Sequence, residues 1–132
     1  MAMPHNFKIS KLLSEYDITK KLVLPNRILV HIPIPQGVHF VDLQAMDTME
    51  QIWTLRYYTR PSGNRKGPVF TVGWLGFVQN KSLEVGDKLI FCGHQFRAAG
   101  GELQMQYKIQ VTRKSNVNYQ GEPISLDVEN FL

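Results

Sequence analysis

Two stretches of the chain alternate between apolar and polar residues, which is the pattern of a β-strand with one buried face and one wet face. The first is residues 53–58, and the second and clearest is residues 103–112. Shorter extended runs are predicted as strands at residues 5–9, 22–25, 38–43, 69–72 and 88–92. Glycines, prolines and polar segments separate these runs, and residues 28–32 fit either a helical turn or a strand.

Two further patterns predict short helices. Ser14 is followed three residues later by Asp17, an arrangement that caps the start of a helix. Trp74, Phe77 and Val78 are spaced at i, i+3 and i+4 and would share one buried helix face. About seven short strands with two short helices predict a mostly β fold, an antiparallel barrel that is closed or nearly closed and so protects its strand edges.

Composition limits the class of protein. The chain has 132 residues, of which 43% are hydrophobic, which is enough for one domain with a single core. No window approaches the roughly 18 consecutive apolar residues of a membrane span, and the N-terminus lacks the order of a secretory signal. The single cysteine, Cys92, excludes an internal disulfide and fits a reducing compartment. We therefore expect a soluble, unsecreted protein with no membrane partner, and a buried, unreactive Cys92 thiol.

Charge is distributed in blocks, and two of the blocks are basic. The first, residues 8–27, contains Lys8, Lys11, Lys20, Lys21 and Arg27 against two acidic residues. The second lies between Glu50 and Glu84, where there is no acidic residue; it contains Arg56, Arg60, Arg65, Lys66 and Lys81. A solvated surface normally mixes its signs. The second block, whose residues 60–66 form a loop between two predicted strands, therefore indicates a site for a polyanion.

Enzyme chemistry finds little support in the sequence. His31, His39 and His94 have no carboxylate or cysteine at metal-ligand spacing apart from Cys92, and the Cys92–His94 pair is too sparse to hold zinc. The sequence also lacks a glycine-rich phosphate loop, a nucleophile motif and a poised pair of carboxylates. We expect no catalysis, no cofactor, no metal and no small-molecule substrate.

Three motifs occur in order along residues 7–112. Asp17 precedes LVLP at 22–25, Trp53 precedes Arg56 and Tyr57, and FTVGWLGFV at 70–78 precedes NKSL at 80–83 and VGD at 85–87. Together they resemble the plant B3-type DNA-binding domain of auxin response factors, abscisic-acid-insensitivity regulators and reproductive-meristem proteins. The resemblance implies a seven-stranded open β-barrel, or pseudobarrel, with two arms in the DNA major groove. It also implies a nuclear regulator of plant transcription.

By this resemblance, residues 8–27 supply the first arm and residues 56–70 the second. The domain would cover residues 1–114, and residues 115–132 would be a polar, acidic tail of uncertain order. The chain departs from the family pattern in having Asn26 in place of a lysine, Tyr16 in place of a serine and Arg60 in place of an aromatic residue.

The arms contain residue types suited to two kinds of DNA contact. Phosphate contacts are expected from Lys8, Lys11, Lys20, Lys21 and Lys66, and base-edge contacts from Arg60, Asn64 and Arg65. Hydroxyl contacts are expected from Ser14, Thr19 and Ser62, and further contacts from Arg27, Arg56 and Tyr58. Tyr58 could stack on a base, and Arg56 is equally well explained as a structural residue that pairs with an acid.

An alternative is that the B3-like barrel serves as a protein-interaction module in which DNA binding is weak or lost. The departures at Tyr16, Asn26 and Arg60 leave this alternative open. The strand at 105–111 or the acidic tail would then contact a protein partner.

Overall fold

The computed structural model describes residues 6–59 and 67–131. The strands are β1 Phe7–Leu12, β2 Leu22–Val23, β3 Phe40–Met46, β4 Ile52–Tyr58, β5 Val69–Phe70, β6 Lys88–Arg97, β7 Leu103–Tyr119 and β8 Glu122–Asp127. The helices are α1 Glu15–Thr19 and α2 Trp74–Lys81, with 3₁₀-helices at Asn26–Val30 and Val128–Phe131. The predicted mostly β fold with two short helices is confirmed.

The strands form one curled sheet in the order β1-β6-β7-β3-β4-β5-β2, and β8 pairs with β7. Neighbouring strands are antiparallel except for β3 and β7, which pair in parallel through Ala45 opposite Tyr107 and Met46 opposite Lys108. β1 and β2 are therefore the two ends of the strand order, and a gap between them leaves the barrel open.

The alternating stretches have the buried faces that the sequence predicts. In β4 the inward side chains of Leu55 and Tyr57 are fully buried, and in β7 those of Ile109 and Val111 are nearly so. Burial declines towards the β6–β7 turn, where Leu103 is 53% exposed. The alternation of β7 thus continues past the edge of the core that it helps to build.

The α2 helix supplies the largest side chain of the core. Trp74, Phe77 and Val78 are all buried, as their spacing predicts. The helix begins after Gly73, whose φ of 92° is in the left-handed region. A Cβ at Gly73 would lie 2.1 Å from the Thr54 carbonyl oxygen, so this close approach to β4 requires glycine.

The sequence allowed either a helical turn or a strand at residues 28–32. In the structure, residues 28–30 belong to the 3₁₀-helix Asn26–Val30. Ile28 and Ile32 are both buried. The helix follows Pro25, whose fixed φ suits the residue before a helical turn. The run predicted as a strand at 69–72 forms a strand only at its first two residues, and β6 and β7 both extend beyond their predicted ends.

Residues 115–131, whose order the sequence left open, continue β7 and then form β8 and the last 3₁₀-helix. β8 adds an eighth strand to the seven that were predicted. Val128 is buried in the core, and the buried Lys81 of α2 forms ion pairs with both Asp47 and Glu129. The segment is thus tied to the barrel, while the proposed division of the chain at residue 114 stays a prediction.

Candidate nucleic-acid interface

The first basic block lies at the open side of the barrel, where β1 leads through α1 into β2. Within the described part of the chain, the side chains of Lys20, Lys21 and Arg27 form no ion pair. Lys20 and Arg27 are exposed and Lys21 is half-buried. These three cations are available to an external anion.

The fully buried carboxylate of Asp17 organises this arm. It accepts hydrogen bonds from the backbone N–H of Ser14 at 2.8 Å and of Val23 at 3.2 Å, and from Lys11 Nζ at 2.9 Å. Burial alone would raise the pKa of Asp17, but these hydrogen bonds together hold it below its ordinary value. The helix start predicted at Ser14 is confirmed as a capping box with Asp17.

Lys11 bridges the two ends of the sheet. Its Nζ lies 2.9 Å from Asp17 Oδ1 and 2.6 Å from the carbonyl oxygen of Val23 on β2. The hydroxyls of Ser14 and Thr19 also have partners within the arm. The Ser14 hydroxyl donates a hydrogen bond of 3.0 Å to Asp17 Oδ2, and the Thr19 hydroxyl donates one of 2.8 Å to the Glu15 carbonyl oxygen. All three side chains were predicted to contact DNA, which stays untested, and all three have an internal role.

The α2 helix contacts the first arm through a buried hydrogen bond. Trp74 Nε1 donates a hydrogen bond of 2.6 Å to the carbonyl oxygen of Asp17, and this contact is fully buried. The sequence marked Trp74 as core, but nothing in its spacing indicated that its indole N–H reaches α1. The contact connects the arm directly to the rigid centre of the barrel.

The second arm leaves the sheet at the end of β4 and returns at β5. Tyr57 pairs with Phe70 and Tyr58 with Val69, so the loop begins and ends at neighbouring positions. The predicted contacts at Arg60, Ser62, Asn64, Arg65 and Lys66 lie outside the described residues.

The two arms contact each other where they join the barrel. The Leu24 backbone N–H donates a hydrogen bond of 2.8 Å to the Pro68 carbonyl oxygen. A Cβ at Gly67 would lie 2.0 Å from the Leu24 carbonyl oxygen and 3.2 Å from the Asn26 backbone nitrogen. Glycine is therefore needed where the chain that returns to β5 passes the first arm, so residues 67–68 at the end of the second loop lie against residues 24–26.

Two cations of the second block are neutralised by acids from elsewhere in the chain. Arg56 donates hydrogen bonds of 2.9 and 3.3 Å to Asp42 and lies 4.0 Å from the centre of the Phe40 ring. These bonds hold the pKa of Asp42 below its ordinary value. Lys81 is buried against Asp47 and Glu129. Arg56 therefore has the acidic partner that its structural interpretation requires.

Tyr58 and Lys8 occupy outward positions on their strands. Tyr58 is half-buried and pairs across the sheet with Phe40, beside the start of the second loop. Lys8 is exposed and lies opposite Cys92 of β6, four residues before the end of β1. At about 3.3 Å per residue, Lys8 is roughly 13 Å from the end of β1. Its predicted phosphate contact stays untested.

The described residues contain no group of three or more His, Cys, Asp or Glu side chains that could hold a metal ion. Within the same part of the chain, no helix has the length and apolar character needed to cross a membrane. Cys92, which was predicted to be buried, is half-buried.

With this geometry established, the family can be assigned. The model of the B3 DNA binding domain family matches residues 9–110, and the chain therefore belongs to this family. The family is one of DNA-binding domains and not of enzymes. Auxin response factor 19 of Oryza sativa subsp. japonica is 42% identical over 50 residues, which cover 38% of this chain and 4% of that protein.

Three solved structures that share this fold come from Arabidopsis. A hypothetical Arabidopsis thaliana protein has a TM-score of 0.61 at 22% identity, covering 84% of this chain and 94% of its own. The Arabidopsis FUS3–DNA complex has a TM-score of 0.60 at 21% identity, covering 80% and 96%. The complex of the Arabidopsis thaliana transcription factor LEC2 with DNA has 0.58 at 20%, covering 70% and 87%. The B3-type pseudobarrel predicted from the motifs is confirmed.

Proposed function

We propose that this chain binds double-stranded DNA in a sequence-specific manner and acts as a plant transcription regulator in the nucleus. The observation that carries the proposal is the hydrogen bond between Leu24 and Pro68, through which the first arm contacts the chain at the end of the second loop. Two adjoining arms can enter one major groove, which is wide enough to admit protein elements. FUS3 and LEC2, which share this fold, were solved in complex with DNA.

Three cations of the first arm contact phosphates. Lys20, Lys21 and Arg27 form no ion pair among the described residues, so no internal pair has to break when they bind DNA. Each phosphate that a cation neutralises releases counterions and makes binding weaker in salt. Lys66 adds a phosphate contact from the second arm.

The second loop reads the bases. Arginine can donate two hydrogen bonds to guanine and asparagine can pair with adenine in the major groove, which assigns this role to Arg60, Asn64 and Arg65. Ser62 adds a hydroxyl contact, and Tyr58 contacts the duplex beside the start of the loop. Lys11, Ser14 and Arg56 position the arms, because their polar groups are already occupied within the protein.

The test is fluorescence anisotropy of the purified chain with a randomised pool of labelled duplexes at two salt concentrations. We expect selection of a short motif, weaker binding at the higher salt, and loss of selection in the Arg60→Ala/Arg65→Ala double variant. Lys88→Ala is the matched control, because Lys88 is an exposed cation on β6, outside both arms. A folded protein that binds no duplex at low salt would refute the proposal.

Arg65→Ala alone separates base reading from phosphate contact. If Arg65 donates two hydrogen bonds to a guanine, its removal should cost about 1–3 kcal/mol of binding free energy and relax the base preference at that one position. Equal weakening on every duplex would assign Arg65 to the DNA backbone instead.

A further inference from the structure

A second basic surface lies on the outer face of β1, β6 and β7, and it includes Lys8 from the first basic block. These three strands contain no acidic residue. Their register places Lys8 of β1, Cys92 of β6 and Lys108 of β7 directly beside one another. Lys8 and Lys108 are both exposed, and two strand spacings separate their Cα atoms by about 10 Å.

This surface contains two open depressions. A depression of about 490 Å³ is lined by Phe7, Lys8, Ile90, Cys92, His94 and Gln110, with Asn6 at its end. A second depression of about 350 Å³ shares Ile90, Cys92 and Gln110 with the first and reaches Lys108. We call the two together the outer groove; Ile90 and Cys92 form its apolar floor and the two lysines its rim.

The charges around the outer groove favour an anionic occupant. The 490 Å³ depression has no acidic residue in its lining. Asp47 and Glu50 line the far end of the other depression, but the Asp47 carboxylate is held at 2.8 Å by Lys81. Glu50 lies at that end as well, so the part of the outer groove that favours an anion is the stretch from Lys8 across Cys92 to Lys108.

The shape favours one extended chain over a nucleic acid. The rim lysines, whose Cα atoms are about 10 Å apart, can flank a single peptide strand, and the floor between them offers aliphatic contacts at Ile90. Single-stranded nucleic acid is normally held by bases stacked on exposed aromatic rings. The ring of Phe7 is 8% exposed and stacks on His31 at 4.8 Å, so it is not free to hold a base.

We propose that the outer groove binds an acidic peptide segment of a partner protein, with an aliphatic side chain on Ile90 and Cys92 and carboxylates at Lys8 and Lys108. Apart from Lys8, which the sequence also predicts to contact phosphate, this site lies outside the proposed DNA contacts.

The test uses three short fluorescein-labelled peptides and the full chain. One peptide contains Glu and Leu residues, the second has every Leu replaced by Ser, and the third has every Glu replaced by Gln. We expect the first to bind and the other two to bind much more weakly. Affinity for the first should fall about tenfold in Ile90→Ser and in Lys108→Gln, a size typical of truncating a central interface contact.

The matched control is Lys20→Gln/Lys21→Gln, which removes two charges from the first arm. It should weaken duplex binding and leave peptide binding unchanged, while Ile90→Ser and Lys108→Gln should do the reverse. Cys92 offers an independent readout, because it is the single cysteine and is half-buried in the groove. The Glu/Leu peptide should slow its alkylation by iodoacetamide.

Three outcomes would overturn the proposal. They are no binding of the Glu/Leu peptide, equal loss of peptide binding in the arm and groove variants, and tighter binding of a single-stranded oligonucleotide that protects Cys92. If only duplex binding fails, the result would refute the proposed DNA function and would not affect the proposal that the groove binds an acidic peptide.

Discussion

Replacing Lys11 with methionine separates a positioning lysine from a phosphate-binding lysine. Methionine keeps much of the aliphatic length but removes the ammonium that contacts Asp17 Oδ1 and the Val23 carbonyl oxygen. The change should destabilise the fold and weaken DNA binding without removing a direct phosphate contact. It therefore tests the role that the geometry assigns to Lys11.

The magnitude follows from the burial of the two partners. The Asp17 carboxylate is fully buried, whereas the Lys11 side chain is 27% exposed. Breaking a fully buried ion pair costs about 3–5 kcal/mol and an exposed one about 0–1 kcal/mol. Because Asp17 keeps its hydrogen bonds from Ser14 and Val23, we expect Lys11→Met to lower the free energy of unfolding by about 1–3 kcal/mol.

Urea denaturation would measure the stability change, and DNA binding would be measured over a series of salt concentrations. Each phosphate contact contributes about 0.9 to the slope of log affinity against log salt. Lys11→Met should lower affinity with the slope unchanged, whereas the exposed control Lys20→Met should reduce the slope by about that amount. A stable Lys11→Met protein with a reduced slope would refute the reasoning.

A second substitution checks that the lost stability comes from the ion pair. Asp17→Asn removes the charge that Lys11→Met leaves without its partner. If the two residues are coupled, the double variant should be less destabilised than the sum of the single variants. Strict additivity would show that the Lys11 ammonium contributes through Val23 alone.

Three further predictions concern the core. Tyr57→Phe should be neutral or raise the free energy of unfolding by up to about 1 kcal/mol, because the buried Tyr57 hydroxyl has no partner among the described residues; a clear loss in urea denaturation would contradict this. Lys81→Met should lower that free energy by about 3 kcal/mol by leaving Asp47 and Glu129 unpaired, whereas an unchanged urea midpoint would contradict a buried ion pair. Hydrogen bonds from Lys81 and Trp53 outweigh burial and lower the pKa of Asp47, so stability should be lost as pH falls below the ordinary value of 3.8. Asp47→Asn should flatten that loss in denaturation curves recorded across pH, and an unaltered acid transition would refute it.

Local patterns predicted the elements that depend on local physics. The alternation in β4 and β7 and the spacing of Trp74, Phe77 and Val78 each report which face of an element is buried. β8 has no such signal, because its six residues include Pro123 and two acids at its ends. It forms because β7 is long enough to offer it a partner, which no pattern within residues 122–127 records.

Pairings between distant residues could not be predicted for a different reason. Asp42 faces Arg56 because of the register of the β3–β4 hairpin, and Glu129 reaches Lys81 only once the C-terminal segment packs on α2. Sequence shows how many charges a segment carries but not which of them meet. Arg56 and Lys81 therefore looked like members of a basic site, although acids from other elements neutralise both.

The first arm shows how the same charges divide between support and binding. Asp17 reduces the net charge of the block when residues are counted, yet its carboxylate is buried and its charge is met by Lys11. The pair therefore cancels inside the arm, and the remaining charge of the block is that of Lys8, Lys20, Lys21 and Arg27 against Glu15. An acid within a basic arm is thus compatible with binding a polyanion, because this acid holds the arm in shape and presents no charge to the duplex.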